Sequence, residues 1–345
     1  MVRRDHVRQS KEIQRKTGKT FHLATRVLPR RVRRATYVLY AFFRVADEVV
    51  DDADGATPRE QRAELERLRE AALGRRETDD PVLSAFAELC AEYDVPDSDV
   101  DVFVDAMLSD IETSRYETYE ELEAYMDGSA AAVGRMMTAI MDPGDAAERK
   151  ALPHATALGE AFQMSNFLRD VREDIVERDR VYLPGETLER HGVTEAQLLA
   201  FDCDENFRAA MREELRRTEE LYRRGVAGIR HLPDDCQFAV LLAAVLYADH
   251  HREIRKRDYD VLSTTPSLST DRKLLLLAKT RLYWAVERDP ETVFRKVSDV
   301  PYPRETARGR REHGPSGREP SWSLAAPAVV GRRVSDWLRY FTRGE

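Results

Sequence analysis

The amino-acid sequence predicts an all-α fold with one core, on three observations. Apolar residues recur at intervals of three and four through most of the chain, no segment carries a convincing alternating series of β-branched residues, and no unit repeats at a constant period. A chain of 345 residues, 42% hydrophobic and 34% charged, is long enough to bury a large core without disulfide or metal staples.

The elements follow in order. From Arg34 to Val50 the set Tyr37, Val38, Tyr40, Ala41, Phe42, Val45 and Val49 keeps the helical period, and a loop with Gly55 and Pro58 ends it. Residues 59–73, with Leu65, Leu68 and Leu73 on one face, and residues 81–93 are amphipathic helices, and Asp99–Ile111 and Thr118–Ile140 continue the series. Pro143 and Gly144 make a turn before a long helix, Ala147–Val176, with a break expected near Pro153. A connection around 178–184 leads to a short helix at 194–200, then to long helices at 205–229 and 233–256, and Leu274–Val286 reads as the last core helix. Three segments result: a basic stretch 1–20, a helical domain 21–300, and a Pro-, Gly- and Arg-rich tail 301–345 in which residues 328–341 could form a short amphipathic element.

Charge is unevenly distributed. Residues 1–34 hold 12 basic and 2 acidic side chains and residues 295–345 hold 11 and 6, so a net charge of −8 leaves −23 for the middle. Basic ends fit an anionic substrate or membrane surface, and solvated surface more simply; no zinc finger, RNA-binding signature or paired recognition helix accompanies them, so nucleic acid is not expected as a partner. Cys90, Cys203 and Cys236 match no metal or redox spacing, and neither a membrane span nor a signal peptide is legible. A cytoplasmic protein is expected, with peripheral contact at the inner face of the membrane as an option.

Two stretches carry the chemistry. In RVADEVVDD, Asp47 and Asp51 stand four apart beside Phe43, Ala46 and Val50; in FQMSNFLRDVRED, Asn166, Asp170 and Asp174 repeat that spacing, with Gln163 one turn before. Acidic i,i+4 pairs are common on solvated surfaces, and either pair alone would be weak evidence. Two ladders within helical apolar stripes are harder to leave uncompensated, because burying unpaired carboxylates is costly. Hard oxygen donors without a matching His or Cys cluster favour Mg2+, with Mn2+ as a substitute, completed by substrate phosphate oxygens. Arg44 and Arg169 flank the ladders as further neutralising charge, and departure of a diphosphate is the reaction step this set serves.

These stretches, Tyr40–Asp51 and Gln163–Asp174 with the downstream Arg180-Val181-Tyr182-Leu183-Pro184, resemble the two signatures of the squalene/phytoene synthase family, nearest its phytoene synthase branch. The resemblance runs from Phe21 to Tyr283 and implies an isoprenoid-synthase helical bundle around a central cavity for two prenyl diphosphates. It implies Asp47, Asp51, Asp170 and Asp174, with Asn166, as metal ligands, and adds Gln163 and Tyr40 to the catalytic set. It further implies Arg44 and Arg169 at the diphosphates and Tyr125, Tyr182 and Tyr247 as tyrosines lining or closing the cavity. Thr20 and Phe21 match the family's N-terminal Ser-x-Ser-Phe segment, although Gly18 stands in place of one serine. Arg172 departs from a family glycine and either contacts phosphate or faces solvent. Phe43, Phe162, Phe167 and Tyr247 are expected around a water-excluding cavity.

The implied activity is head-to-head condensation of two geranylgeranyl diphosphates to phytoene through a cyclopropylcarbinyl diphosphate, without a nicotinamide cofactor. Squalene or dehydrosqualene synthesis from farnesyl diphosphate is the alternative on the same fold. A non-catalytic scaffold would have eroded a ladder, and a chain-elongating synthase would carry DDxxD, which DEVVD does not match.

Overall fold

A computed structural model of the chain describes residues 23–51 and 55–302. Its helices are α1 Arg30–Asp51, α2 Pro58–Ala72, α3 Pro81–Glu92, α4 Asp97–Ser109, α5 Tyr119–Met126, α6 Ala132–Met141, α7 Asp145–Arg178, α8 Gly185–Arg190, α9 Glu195–Leu199, α10 Glu205–Ala227, α11 Asp234–Lys256, α12 Thr270–Val286 and α13 Pro290–Val297. Among the described residues the only β-type pairing is an isolated bridge between Arg115 and Val181, so the expected all-α class holds. The chain divides into a unit of residues 1–302 and another of residues 303–345. The basic segment 1–20, Thr20, Phe21 and nearly all of the 301–345 tail, with its terminal element at 328–341, lie outside the described residues.

Helix ends follow local chemistry. Thr57 and Thr118 close capping boxes with Glu60 and Glu121, and Asp80, Thr194, Asp204, Ser269 and Asp289 accept first-turn N–H groups at the starts of α3, α9, α10, α12 and α13. α7 is the central element, packing against α6, α10 and α11. Its whole length is α-helical, and no break occurs at Pro153. Pro153 and Arg149, whose carbonyl loses its usual N–H partner, are both exposed, so the helix gives up that bond on its solvent side while packing holds the rest.

Three other expectations need correction. α13 follows α12, so Leu274–Val286 is not the last core helix; Phe294 is fully buried and stacks on Tyr222 at 5.9 Å. The run expected at 118–140 is interrupted by a π-helical turn, Asp127–Ala131, between α5 and α6. An extra helix, α8, occupies part of what reads as a connection.

α7 is approached unusually closely by its neighbours. A Cβ on Gly159 would lie 2.5 Å from the Ala130 carbonyl oxygen of the π turn, and one on Gly225 of α10 would lie 2.7–2.9 Å from the Cβ, Cα and N of Leu158. Both clashes involve backbone, so the helix axes themselves would have to separate.

Gly225→Ala is accordingly expected to destabilise the fold by about 1–3 kcal/mol in urea unfolding, the cost of overpacking a well-filled contact. An unchanged midpoint would show that α7 and α10 separate freely.

Candidate active site

α1 and α7 both end at one pole of a cavity of about 790 Å³. Seven of the sequence-derived site residues line it: Tyr40, Arg44 and Asp47 from α1, Gln163, Asn166 and Arg169 from α7, and Tyr247 from α11. Below them the wall turns apolar, through Phe43, Leu39, Val133, Met137, Phe162, Leu158, Val240 and Ala243, and reaches His154, Gly228 and Leu232. The cavity is therefore polar at one end and greasy along its depth.

Asp51, Asp170 and Asp174 continue the two ladders outside that wall. Arg178, one turn after Asp174, joins them: its Nε donates to Asp51 Oδ2 and its Nη1 to Asp174 Oδ1, each at 3.3 Å. Asp179 then adopts the left-handed conformation at φ 52°, and the Arg180 N–H bonds back to Asp174 O at 3.0 Å. That turn brings the Arg180 side chain to Asp51 Oδ1 at 3.2 Å and to the Asp110 carbonyl at 2.9 Å. Arg169 makes a bidentate pair with Asp170, with Nε to Oδ1 at 2.7 Å. Arg44 lies 3.5 Å from Asp47 Oδ2.

The carboxylates remain under-compensated. Burial, the larger effect, together with the neighbouring charges of Asp51 and Asp110 pushes the Asp47 carboxyl up to about 7 against the pull of Arg44. The Asp47 side chain is 36% accessible, but it opens into a concave cavity rather than onto a convex surface, so surrounding protein still desolvates it. Asp174 is likewise pushed up to about 7 by burial and by Asp170.

Sequence reading missed Arg178, Asp110 and His250 and gave Arg180 no role of its own. Asp110, following α4, accepts from Tyr125 Oη at 2.9 Å, and burial raises its carboxyl to about 6. His250 on α11 accepts from Arg169 Nη1 at 3.4 Å; burial and Arg169 push its imidazole down to about 2, which keeps it a neutral acceptor. The i,i+4 spacing of Asp174 and Arg178 was the one available signal; the others come from helices remote in sequence.

Tyr125 and Tyr182 are not on the cavity wall. They stack with each other at 5.9 Å, and Tyr182 lies face to face with Phe167 at 3.8 Å, forming a buried aromatic cluster behind the polar end. Phe167 thus backs the site rather than lining the cavity, whereas Phe43, Phe162 and Tyr247 line it as expected. Arg172 neither reaches the cavity wall nor points free into solvent: it donates to Leu262 O at 2.7 Å and covers the Phe201 ring at 4.0 Å. Behind α7, Ser165 Oγ bonds Tyr222 Oη at 2.8 Å and His251 Nε2 at 2.9 Å, fixing the helix one residue from Asn166.

Among the described residues no three His, Cys, Asp or Glu side chains converge to hold a metal ion unaided. The donor set nevertheless fits one shared with an anionic ligand. The side chains are hard oxygen donors, their charges repel one another, and on the cavity wall Arg44 Nε is buried without a hydrogen-bond partner.

The sequence profile of the squalene/phytoene synthase family matches residues 14–272. The phytoene synthase of Rhodobacter capsulatus is 34% identical over 277 residues, covering 79% of this chain and 80% of its own. That of Thermus thermophilus is 34% identical over 266 residues, covering 76% and 88%. Among solved structures, a dehydrosqualene synthase superposes with a TM-score of 0.73 at 26% identity, covering 82% of this chain and 98% of its own.

The raised carboxyls set a direction for stability. A carboxyl whose folded pKa lies above its unfolded value stabilises the fold below the unfolded pKa, and that contribution is lost as pH rises through the folded one. For Asp47 and Asp174 the window runs from about pH 4 to about pH 7. In metal-free protein, Asp47→Asn or Asp174→Asn is expected to raise the thermal unfolding temperature relative to wild type at pH 8, and by less at pH 4. Equal shifts at both pH values would contradict this charge account.

Proposed function

The chain belongs to the squalene/phytoene synthase family, whose chemistry is the condensation of prenyl diphosphates, and we propose that it joins two geranylgeranyl diphosphates head to head to give phytoene. Depth of the cavity carries the choice of substrate. α7 contributes wall residues from Ala151 to Arg169, and between these two the helix rises about 27 Å at 1.5 Å per residue. At about 1.25 Å of advance per single-bond step, a four-isoprene chain extends to about 20 Å and a three-isoprene chain to about 15 Å. The longer substrate uses the greasy depth more fully.

In this reading Arg44 and Arg169 bind the diphosphates at the polar end, with Tyr40, Gln163 and Asn166 orienting them. Asp47, Asp51, Asn166, Asp170 and Asp174 would hold Mg2+, or Mn2+ in its place, which when bound stabilises the charge developing on a departing diphosphate. Ionisation of one substrate leaves an allylic cation; the C2–C3 double bond of the other attacks it, and proton loss gives the cyclopropylcarbinyl diphosphate. A second ionisation and rearrangement, again ending in proton loss, yields the 1-1′-linked product, with two diphosphates released and no reductant consumed. The apolar wall excludes water from the cations, and the rings of Phe43, Phe162 and Tyr247 offer them π faces.

The second reading, squalene or dehydrosqualene synthesis from farnesyl diphosphate, draws on the superposition with a dehydrosqualene synthase. Incubation with Mg2+ and either diphosphate, with and without NADPH, followed by product mass analysis, separates the two. A C40 hydrocarbon from geranylgeranyl diphosphate, independent of NADPH, is expected; exclusive C30 product would refute the proposal. Val240→Phe, which fills the lower cavity, is expected to shift the kcat/KM ratio towards farnesyl diphosphate by about tenfold or more. Asp47→Ala and Asp170→Ala are expected to lower turnover about 100-fold or more with helical content unchanged on circular dichroism; retained activity in either would count against the site.

A further inference from the structure

We propose that the outer face of α12 docks on an anionic lipid bilayer. Seven large apolar side chains are exposed among the described residues, and five of them, Leu274, Leu275, Leu282, Tyr283 and Val286, lie on this helix. Val286 is 88% and Leu282 57% exposed. Leu275, Leu282 and Val286 follow one another at seven and four positions, so they form a single stripe along the helix. α12 already buries an inner face: Leu276, Leu277, Thr280 and Trp284 are at most 2% exposed on the side packed against α11 and α13. One apolar face is all that packing on the core requires, so the second needs its own explanation.

The charges around the stripe say what covers it. Lys279 and Arg281 lie exposed on the helix and Arg288 just beyond it, against Asp271 in the first turn and Glu287 after the last. The guanidinium carbons of Arg281 and Arg288 lie 5.4 and 5.7 Å from the Phe238 and Trp284 ring centroids, so both cationic heads are held over these rings, and both residues are exposed beside the stripe. Leucine and valine on one line, a tyrosine beside them and basic side chains along the margins form the pattern that beds into the boundary between headgroups and acyl chains.

Two other occupants fit less well. The chain's own residues 328–341 carry Arg332, Arg333 and Arg339 against Asp336 alone, and would set positive charge on a positive margin. A second copy meeting stripe to stripe would do the same. An anionic lipid surface is the complementary partner. α11 has Ala239, Val240, Ala243 and Tyr247 on the cavity wall, so the docking face stands one helix away from the cavity. The surface itself does not depend on which prenyl diphosphate is used.

The test is flotation of the full-length protein at low ionic strength with vesicles of phosphatidylcholine alone or mixed with phosphatidylglycerol, comparing wild type with Leu282→Asp/Val286→Asp and with Lys279→Glu. Wild type is expected to float with the anionic vesicles only. The double variant is expected to lose about tenfold or more of the bound fraction and Lys279→Glu a smaller part, with secondary structure and activity on soluble substrate unchanged. Flotation that ignores phosphatidylglycerol, or variants that float as wild type does, would overturn the proposal. So would a wild-type dimer in light scattering that the double variant converts to monomer. Should the double variant fail to fold, the Lys279→Glu comparison stands alone, and an unchanged bound fraction there would equally overturn it.

Discussion

The constraint on which the rest depends is electrostatic. Two ladders of carboxylates converge at one end of an apolar bundle, and Arg178, donating to Asp51 from one ladder and Asp174 from the other, holds those ends together. Like charges in a partly desolvated site repel strongly enough to separate the helices that carry them, so guanidinium partners are a condition of assembly as well as of binding. Arg169 and Arg180 complete the set at Asp170 and Asp51. Compensation nevertheless stops short of neutrality, as the raised carboxyls of Asp47 and Asp174 record. A fold balanced in this way is prepared for cations that arrive with an anionic substrate.

The greasy half of the site follows from backbone geometry. Gly159 and Gly225 let the π turn and α10 close onto α7, so the central helix is held rigidly while one of its faces is left to the cavity. Polar groups then cluster near the last third of α7 and hydrocarbon along the remainder. Such polarity orients a molecule with a diphosphate head and an isoprenoid tail without any further device.

Much of this was legible because helices write themselves locally. The periods of α1 and α7 and the four-residue spacing of each ladder each lie in one continuous stretch, and the structure places Tyr40, Arg44, Asp47, Gln163, Asn166, Arg169 and Tyr247 on one wall. What escaped depends on chain segments meeting from a distance. Asp110 reaches the site through Tyr125, and His250 through Arg169, and neither carries a local pattern. The same holds for Phe167: an aromatic residue in a helical stripe reads as cavity lining, and only the stacked ring of Tyr182 shows that its face is already covered. Pro153 misled in the other direction, because its local penalty is outweighed by packing along a 34-residue helix.

Calorimetric scanning of the protein with inorganic pyrophosphate, with Mg2+ and with both tests the central claim most directly. If the carboxylate ladders and arginines are balanced for a cation carried together with a diphosphate, the pair raises the unfolding temperature by clearly more than the two separate shifts added together, and Asp47→Asn/Asp174→Asn removes that excess. Simple additivity in the wild type, or an undiminished excess in the double variant, would contradict it.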